Sequence, residues 1–144
     1  MVAIACDHGG FALKLEIKAY LDSLGVKYKD FGCNNTDSCD YADFCVPAAR
    51  AVASGECEKG IAICGTGAGM SYTANKIKGI RCVLCSEPFT AKMSREHNDA
   101  NMLALGGRVV GGDLAKMIVS TWLNTPFSND ERHVRRIAKI SALE

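Results

Sequence analysis

The chain has little of what marks a membrane, secreted or nucleic-acid-binding protein. Its 144 residues carry a formal net charge of only +1, and aromatic residues make up 7% of them. This charge gives no reason to expect a nucleic-acid partner. No apolar run approaches the roughly 20 residues that a membrane-spanning helix needs. The N-terminal MVAIACDHGG has no basic segment, so we expect no signal peptide, no membrane partner and a cytoplasmic location.

Short apolar segments alternate along the chain with segments of helical periodicity. This pattern predicts an α/β fold with a parallel sheet of about five strands and helices on both faces. Long linkers and repeats are absent, so we expect a single domain over 1–144. The predicted strands are 2–6, 26–31, 61–64, 81–85 and 102–105. The predicted helices are 11–24, 41–54, 68–77, 88–97, a segment containing Leu114 and Trp122, and 131–143.

Cysteine is the one residue type in unusual supply, with eight copies. Without a secretion signal we expect these thiols to be reduced. Cys82 and Cys85 form a C-x-x-C sequence, but they lie in a predicted strand, whereas a redox pair needs a helix N-terminus. We therefore interpret them as core thiols. Cys33, Cys39 and Cys45 are six residues apart, wider than the two to four residues typical of zinc ligands, so no metal site is expected.

The segment IAICGTGAGMSYTAN is the most informative part of the sequence. Its predicted strand ends at Cys64, and glycine then occupies the alternate positions Gly65, Gly67 and Gly69 before a helix. Backbone N–H groups at such a helix start can bind an anion, and they favour the thiolate form of a cysteine. Met70 replaces the third glycine of a dinucleotide motif, so a smaller anion or a reaction oxyanion fits better. A tight turn beside a buried cysteine is the alternative.

Ligands of parallel sheets bind beyond the carboxyl ends of the strands. We expect three loops at that edge, 7–10, 64–69 and 96–101. Asp7 and His8 suit substrate binding, although a helix cap and a hydrogen-bonded loop histidine are the alternatives. His97 suits general acid–base catalysis near neutral pH, against the alternative of a solvated loop.

Arg132 and Arg136 are four residues apart and share one face of the last predicted helix. Two guanidinium groups on one face can clamp a phosphate, because each forms paired hydrogen bonds to oxyanions. Solvated surface arginines are the alternative.

Together these segments resemble the type B ribose-5-phosphate isomerases, whose family includes the galactose-6-phosphate isomerase subunits. The resemblance extends over almost the whole chain in one order. The matching segments are ACDHGG, the CDYADF stretch with Tyr41, ICGTGAGMSYTANK, RCVLCSEPFTAKMSREHNDANMLALGGRVVG and TPFSNDERHVRRI.

The resemblance implies a Rossmann-like three-layer αβα sandwich without metal or cofactor. It implies a homodimer, in some members a tetramer, whose active site is shared between subunits, and a C-terminal helix at about 129–143 that serves the phosphate site and the dimer. Cys64 would be the catalytic base, and Thr66 or His97 would assist ring opening. The implied substrate-binding residues are Asp7, His8, Tyr41, Gly65, Gly67, Gly69, Asn98, Arg108, Arg132 and Arg136.

Some family members use a glutamate later in the loop instead of the cysteine. That position here is Tyr72 or a neighbour, which is not acidic. The resemblance therefore implies a cysteine-type enzyme that interconverts ribose 5-phosphate and ribulose 5-phosphate. Isomerisation of a six-carbon 6-phosphate such as allose or galactose 6-phosphate is the first alternative. A non-catalytic phosphate-binding module on the same fold is the second.

Overall fold

The computed structural model describes residues 1–144, and its centre is one sheet of five parallel strands. The strands lie in the order β2-β1-β3-β5-β4. They are β1 (Val2–Cys6), β2 (Tyr28–Asp30), β3 (Lys59–Cys64), β4 (Cys82–Leu84) and β5 (Met102–Gly106). The predicted number and direction of the strands are confirmed.

Six α-helices accompany the sheet and cover both of its faces; the first four connect successive strands, and the last two follow β5. They are α1 (Phe11–Ser23), α2 (Tyr41–Ala53), α3 (Ala68–Asn75), α4 (Pro88–Asn98), α5 (Gly112–Asn124) and α6 (Glu131–Ser141). Gly25 and Gly55 follow α1 and α2 with φ values of 68° and 81°, a conformation that glycine adopts without strain. The predicted helices are all present, and their ends differ from the prediction by a few residues.

The two faces of the sheet carry different side chains because successive strand residues point to opposite sides. One face is built from Ile4, Ile61, Leu103 and their neighbours, and it packs against the apolar residues of α1 and α5, including Trp122. The other face is rich in alanine and packs against α2 and α3. The predicted three-layer αβα architecture is thus confirmed.

Length and apolar character together decide whether a helix can cross a bilayer, and none of these six has enough of both.

The C-x-x-C cysteines lie on the outermost strand of the sheet and in the turn that follows it. Cys85 is buried and Cys82 is half-buried. Burial raises the pKa of Cys85 to about 12 and raises that of Cys82 as well. Both groups therefore stay in the thiol form at neutral pH. This agrees with their interpretation as core thiols rather than a redox pair.

Candidate active site

The loop after β1 is organised by Asp7. The Asp7 Oδ1 atom accepts hydrogen bonds from the N–H groups of Gly9 at 2.8 Å and Gly10 at 3.1 Å, which starts a short 3-10 turn. A Cβ atom on Gly10 would lie 2.3 Å from the carbonyl oxygen of Ile63. The turn can therefore pack this closely on β3 only with glycine at position 10. Asp7 Oδ1 is thus a helix cap, which was the alternative to a substrate-binding role for this residue.

The loop after β3 places the Cys64 sulfur at the start of α3. Gly67 has a φ of 83° and is the N-cap residue of α3. Its N–H group donates to Cys64 Sγ at 3.1 Å, and the Cys64 residue is only 4% exposed. An N–H donor at a helix N-terminus stabilises negative charge on the sulfur. This is the geometry that the glycine spacing predicts.

The loop after β5 packs against the Cys64 loop. Gly107 N donates to Cys64 O at 2.8 Å, and Arg108 N donates to Gly65 O at 2.9 Å. A Cβ atom on Gly65 would lie 3.2 Å from Arg108 Nη1, so the guanidinium group lies directly over the bare backbone. Three strand ends thus converge, and an exposed arginine brings positive charge to the Cys64 loop.

Tyr41, Thr66 and His8 complete this region. The Tyr41 ring lies over Gly69, where a Cβ atom would be 2.7 Å from Cζ. The exposed Thr66 accepts a hydrogen bond at Oγ1 from Ala68 N at 3.3 Å. His8 Nδ1 accepts a hydrogen bond from Cys39 N at 3.2 Å, so a neutral His8 ring carries its proton on Nε2.

The remaining predicted site residues form a second group around the end of α4. The His97 ring stacks on His133 of α6 with ring centroids 4.4 Å apart. Ser128 Oγ is 2.6 Å from His133 Nδ1, which fixes the orientation of the inner ring. Burial lowers the pKa of His133, and the positive charge that His97 can carry lowers it further. Asn98, Arg132 and Arg136 are exposed around this histidine pair.

The expectation that 96–101 lies at the carboxyl ends of the strands was wrong. Residues 96–98 end α4 and residues 99–101 precede β5, and Asn101 O accepts a hydrogen bond from Gly60 N, near the amino end of β3. Along β5, Met102 pairs with Gly60 and Gly106 pairs with Cys64. Four residues of strand, or about 13 Å, therefore separate the two edges. A loop that precedes a parallel strand always lies at the edge opposite to a loop that follows one.

The predicted site residues therefore form two sets within one chain. The carboxyl-edge group is Asp7, His8, Tyr41, the loop Cys64–Gly69 and Arg108. The amino-edge group is His97, Asn98, Arg132 and Arg136. The structure brings together the members of each group, but it does not bring the two groups together within one chain.

Several residues that support the site were not among the predicted site residues. These are Gly9, Gly10 and Gly107 at the loop contacts, Cys39 beside His8, and His133 beneath His97. The glycine pairs in ACDHGG and LGGR were the available signal for the loop contacts. Nothing local signals the Cys39–His8 contact, because its two residues are 31 positions apart.

Comparison with known proteins places the chain in a family. The ribose/galactose isomerase family model matches residues 2–140. Ribose-5-phosphate isomerase B of Escherichia coli (strain K12) is 50% identical over 143 residues, covering 99% of this chain and 95% of that protein. The chain belongs to the ribose/galactose isomerase family and is an enzyme of the isomerase class.

Solved structures agree with this assignment. Ribose-5-phosphate isomerase B of Clostridium thermocellum superposes with a TM-score of 0.96 at 52% identity, covering 99% of this chain and 95% of that one. The type B ribose 5-phosphate isomerase of Trypanosoma brucei also reaches 0.96, at 43% identity and with 99% and 97% covered. The expected family resemblance is confirmed over nearly the whole chain.

Proposed function

We propose that this protein interconverts ribose 5-phosphate and ribulose 5-phosphate through an enediolate intermediate. The observation that carries the proposal is the position of the Cys64 sulfur, which accepts a hydrogen bond from Gly67 N at 3.1 Å at the N-terminus of α3. The similarity to proteins named ribose-5-phosphate isomerase B supports this substrate.

The reaction requires a base, donors for an oxyanion and a group that holds the phosphate. The Cys64 thiolate removes the proton from C2 of the open-chain aldose and returns it to C1. The hydroxyl proton moves from O2 to O1 in the same reaction, so the carbonyl moves from C1 to C2. The negative charge that develops on the substrate oxygens is stabilised by the amides of the Gly65–Gly69 loop. Thr66 or His97 assists opening of the sugar ring, and Tyr41 lines the site.

In this proposal the phosphate is bound by four residues, His8, Arg108, Arg132 and Arg136. Binding energy from the remote phosphate positions C1 and C2 against the base. Asp7 orients the loop that carries His8, since its Oδ1 atom holds the Gly9 and Gly10 amides. Asn98 binds sugar hydroxyl groups.

We also propose that a functional site forms between two copies of this chain. The carboxyl-edge group has the base and the oxyanion donors, while the amino-edge group has His97 and the paired arginines. A two-fold dimer that places one edge against the other completes two equivalent sites. The chain then acts as one domain, with α6 contributing both to the phosphate site and to the dimer contact.

A cytoplasmic location is proposed on the basis of the thiols. All eight cysteines are free, which suits a reducing compartment. The deciding experiment is fractionation of the source cells, with the isomerase activity followed in each fraction.

The activity test measures ketose formation from ribose 5-phosphate, with allose and galactose 6-phosphates in parallel. Replacement of the base by Cys64→Ala is expected to lower kcat by about 10²–10⁴-fold. Cys57→Ala is the matched control, because Cys57 is a buried thiol outside both groups. Full activity of Cys64→Ala would disprove the base assignment. Turnover of a hexose phosphate alone would change the substrate, and no turnover by folded protein would favour the binding module.

A further inference from the structure

We propose that Cys6 and Cys33 form a redox-modification site, a dithiol that hydroperoxides convert to a disulfide and that thiols restore. The two sulfur atoms are 3.7 Å apart although their residues are 27 positions apart in the chain. This pair has no part in the isomerase mechanism described above.

Backbone hydrogen bonds hold Cys33 directly beside Cys6. Cys6 N donates to Gly32 O at 2.7 Å, and Cys33 N donates to Cys6 O at 2.8 Å. Both bonds are made to the peptide group between Gly32 and Cys33, just after β2 ends at Asp30. The two sulfur atoms, now 3.7 Å apart, must approach to about 2.05 Å to form a disulfide, a change of about 1.7 Å that rotation of the side chains can supply.

Access to this pair comes from the segment between β2 and α2. Cys6 is fully buried in the central sheet, and Cys33 is 4% exposed. The residues from Asn34 to Ser38 are exposed, and the whole stretch from Phe31 to Asp40 has neither helix nor strand. Segments with few backbone hydrogen bonds open locally at small cost. An oxidant therefore reaches Cys33 before Cys6.

The chemistry proceeds in two steps that balance. The Cys33 sulfur attacks the outer oxygen of a hydroperoxide, which gives a Cys33 sulfenic acid and releases the alcohol, or water if the oxidant is hydrogen peroxide. The Cys6 sulfur then attacks the Cys33 sulfur, the S–S bond forms, and the hydroxyl group leaves as water with the Cys6 proton. A small thiol reverses the reaction by exchange.

The difference in burial assigns the order of attack, because Cys33 is 4% exposed and Cys6 is fully buried. Burial raises the pKa of Cys6 to about 12, so Cys6 stays protonated until a sulfenic acid is next to it. The Lys14 ammonium group donates to Cys33 O at 2.5 Å, which ties the Cys33 backbone to α1. Cys33 is thus the sulfur that is oxidised and Cys6 the sulfur that resolves it.

The same segment connects this pair to the carboxyl-edge group. Cys39 N donates to His8 Nδ1 at 3.2 Å, and Cys39 Sγ is 3.8 Å from the same nitrogen. Rotation of Cys33 toward Cys6 removes its contact with Asn35 O, at 3.2 Å, and so changes the support of the segment that holds His8. On the proposed function, in which His8 binds the phosphate, oxidation raises KM for the sugar phosphate.

The test maps disulfides in the folded protein after treatment with hydrogen peroxide, with free thiols alkylated before digestion. A Cys64→Ala background removes the proposed active-site thiol from the chemistry. We expect a peptide pair that joins Cys6 to Cys33, and a loss of two free thiols that dithiothreitol restores. Cys33→Ala should abolish this loss, Cys6→Ala should lose only the one thiol of Cys33 and form no disulfide, and the control Cys57→Ala should lose two thiols as before.

Three results would overturn the proposal. These are a mapped disulfide to Cys39 in place of Cys6, stepwise oxidation to sulfinic acid without a disulfide, and an unchanged thiol count. The mapping needs no activity, so it stands or fails independently of the isomerase assignment. If the linked pair forms while KM of peroxide-treated wild type stays equal to that of treated Cys33→Ala, the site is real but its link to His8 is wrong.

Discussion

Lys14 is the residue whose environment differs most from its type. Its side chain is 1% exposed, and its ammonium group donates to Asp30 Oδ1 at 2.8 Å as well as to the Cys33 carbonyl. Lys18 donates to the other oxygen of Asp30 at the same distance but is 28% exposed. Burial alone would raise the pKa of Asp30, yet the hydrogen bonds from both lysines keep it below its usual value.

These two lysines provide a matched pair for measuring the effect of burial. Lys14→Met leaves the Cys33 carbonyl without its donor and removes one partner of Asp30, so we expect a loss of about 3 kcal/mol in the free energy of unfolding. Lys18→Met should cost about 0–1 kcal/mol, because that pair is solvated. Urea unfolding measures both. Equal losses in the two variants would show that burial of the ammonium group does not affect its contribution to the free energy of unfolding.

His133 makes stability depend on pH near neutrality. Burial and the facing His97 lower its folded pKa below the unfolded value of about 6.5. Between these two pKa values the unfolded chain binds more protons than the folded one, so stability rises with pH across this window and falls as pH drops through it. Asp130 opposes the shift, while Arg132 and Arg136 add to it.

The prediction is a fall in the urea midpoint as pH decreases from 7.5 to 5.0, weaker in His133→Gln than in wild type. This range lies above the lowered pKa of Asp30, so loss of the Asp30 ion pairs does not contribute. A variant that keeps the full pH slope would place the titrating group elsewhere.

At the scale of elements, the start of α3 depends on one backbone conformation. Gly67 has a φ of 83° and lies in a confined space, since a Cβ atom there would be 2.4 Å from Leu84 Cδ1 and 2.9 Å from the Leu105 carbonyl carbon. Gly79 has a nearly identical φ of 85°, but nothing lies within 4 Å of its Cβ position. A substitution at Gly79 therefore tests backbone strain alone, whereas one at Gly67 tests strain together with steric overlap.

Gly79→Ala should cost about 1–2 kcal/mol, the usual penalty of the left-handed conformation. Gly67→Ala should cost clearly more, because the loop must also move away from β4 and β5. That movement displaces the N–H group that contacts Cys64 Sγ, so we expect activity to fall as well. Thermal unfolding and turnover of both variants check this, and similar losses for the two would contradict the packing argument.

At the scale of the whole molecule, the two groups of site residues lie at opposite edges of one sheet. A dimer with shared sites makes a quantitative prediction for mixtures of inactive variants. When Cys64→Ala and Arg136→Ala subunits are mixed after reversible dissociation, half of the dimers are mixed, and each mixed dimer contains one intact site. We expect recovery of about a quarter of wild-type activity.

The control mixture joins Cys64→Ala with Cys64→Ser, which damage the same group, and it should recover nothing. Sedimentation of each sample confirms that dimers have formed again. No recovery in the first mixture, with dimers present, would mean that each chain builds its site alone.

Much of this architecture is readable from local pattern. Apolar runs bounded by turn residues indicate the strands, and helical spacing indicates the helices, because both signals depend on neighbours a few positions apart. The Cys64 loop is equally local, since its strand, its glycines and its helix are contiguous. The sequence by itself therefore determined the α/β class, the five strands and the position of the thiol at a helix start.

The tertiary structure alone decided which of these parts meet. Strand order brings Cys6 beside Cys33 and buries Lys14, contacts between residues far apart in the chain. Strand direction puts His97, near the end of α4, at the edge opposite to Cys64, which the spacing of residues does not reveal. The physical reason is that periodicity records which face of an element is buried, whereas pairing of strands and packing of helices decide what that face is buried against.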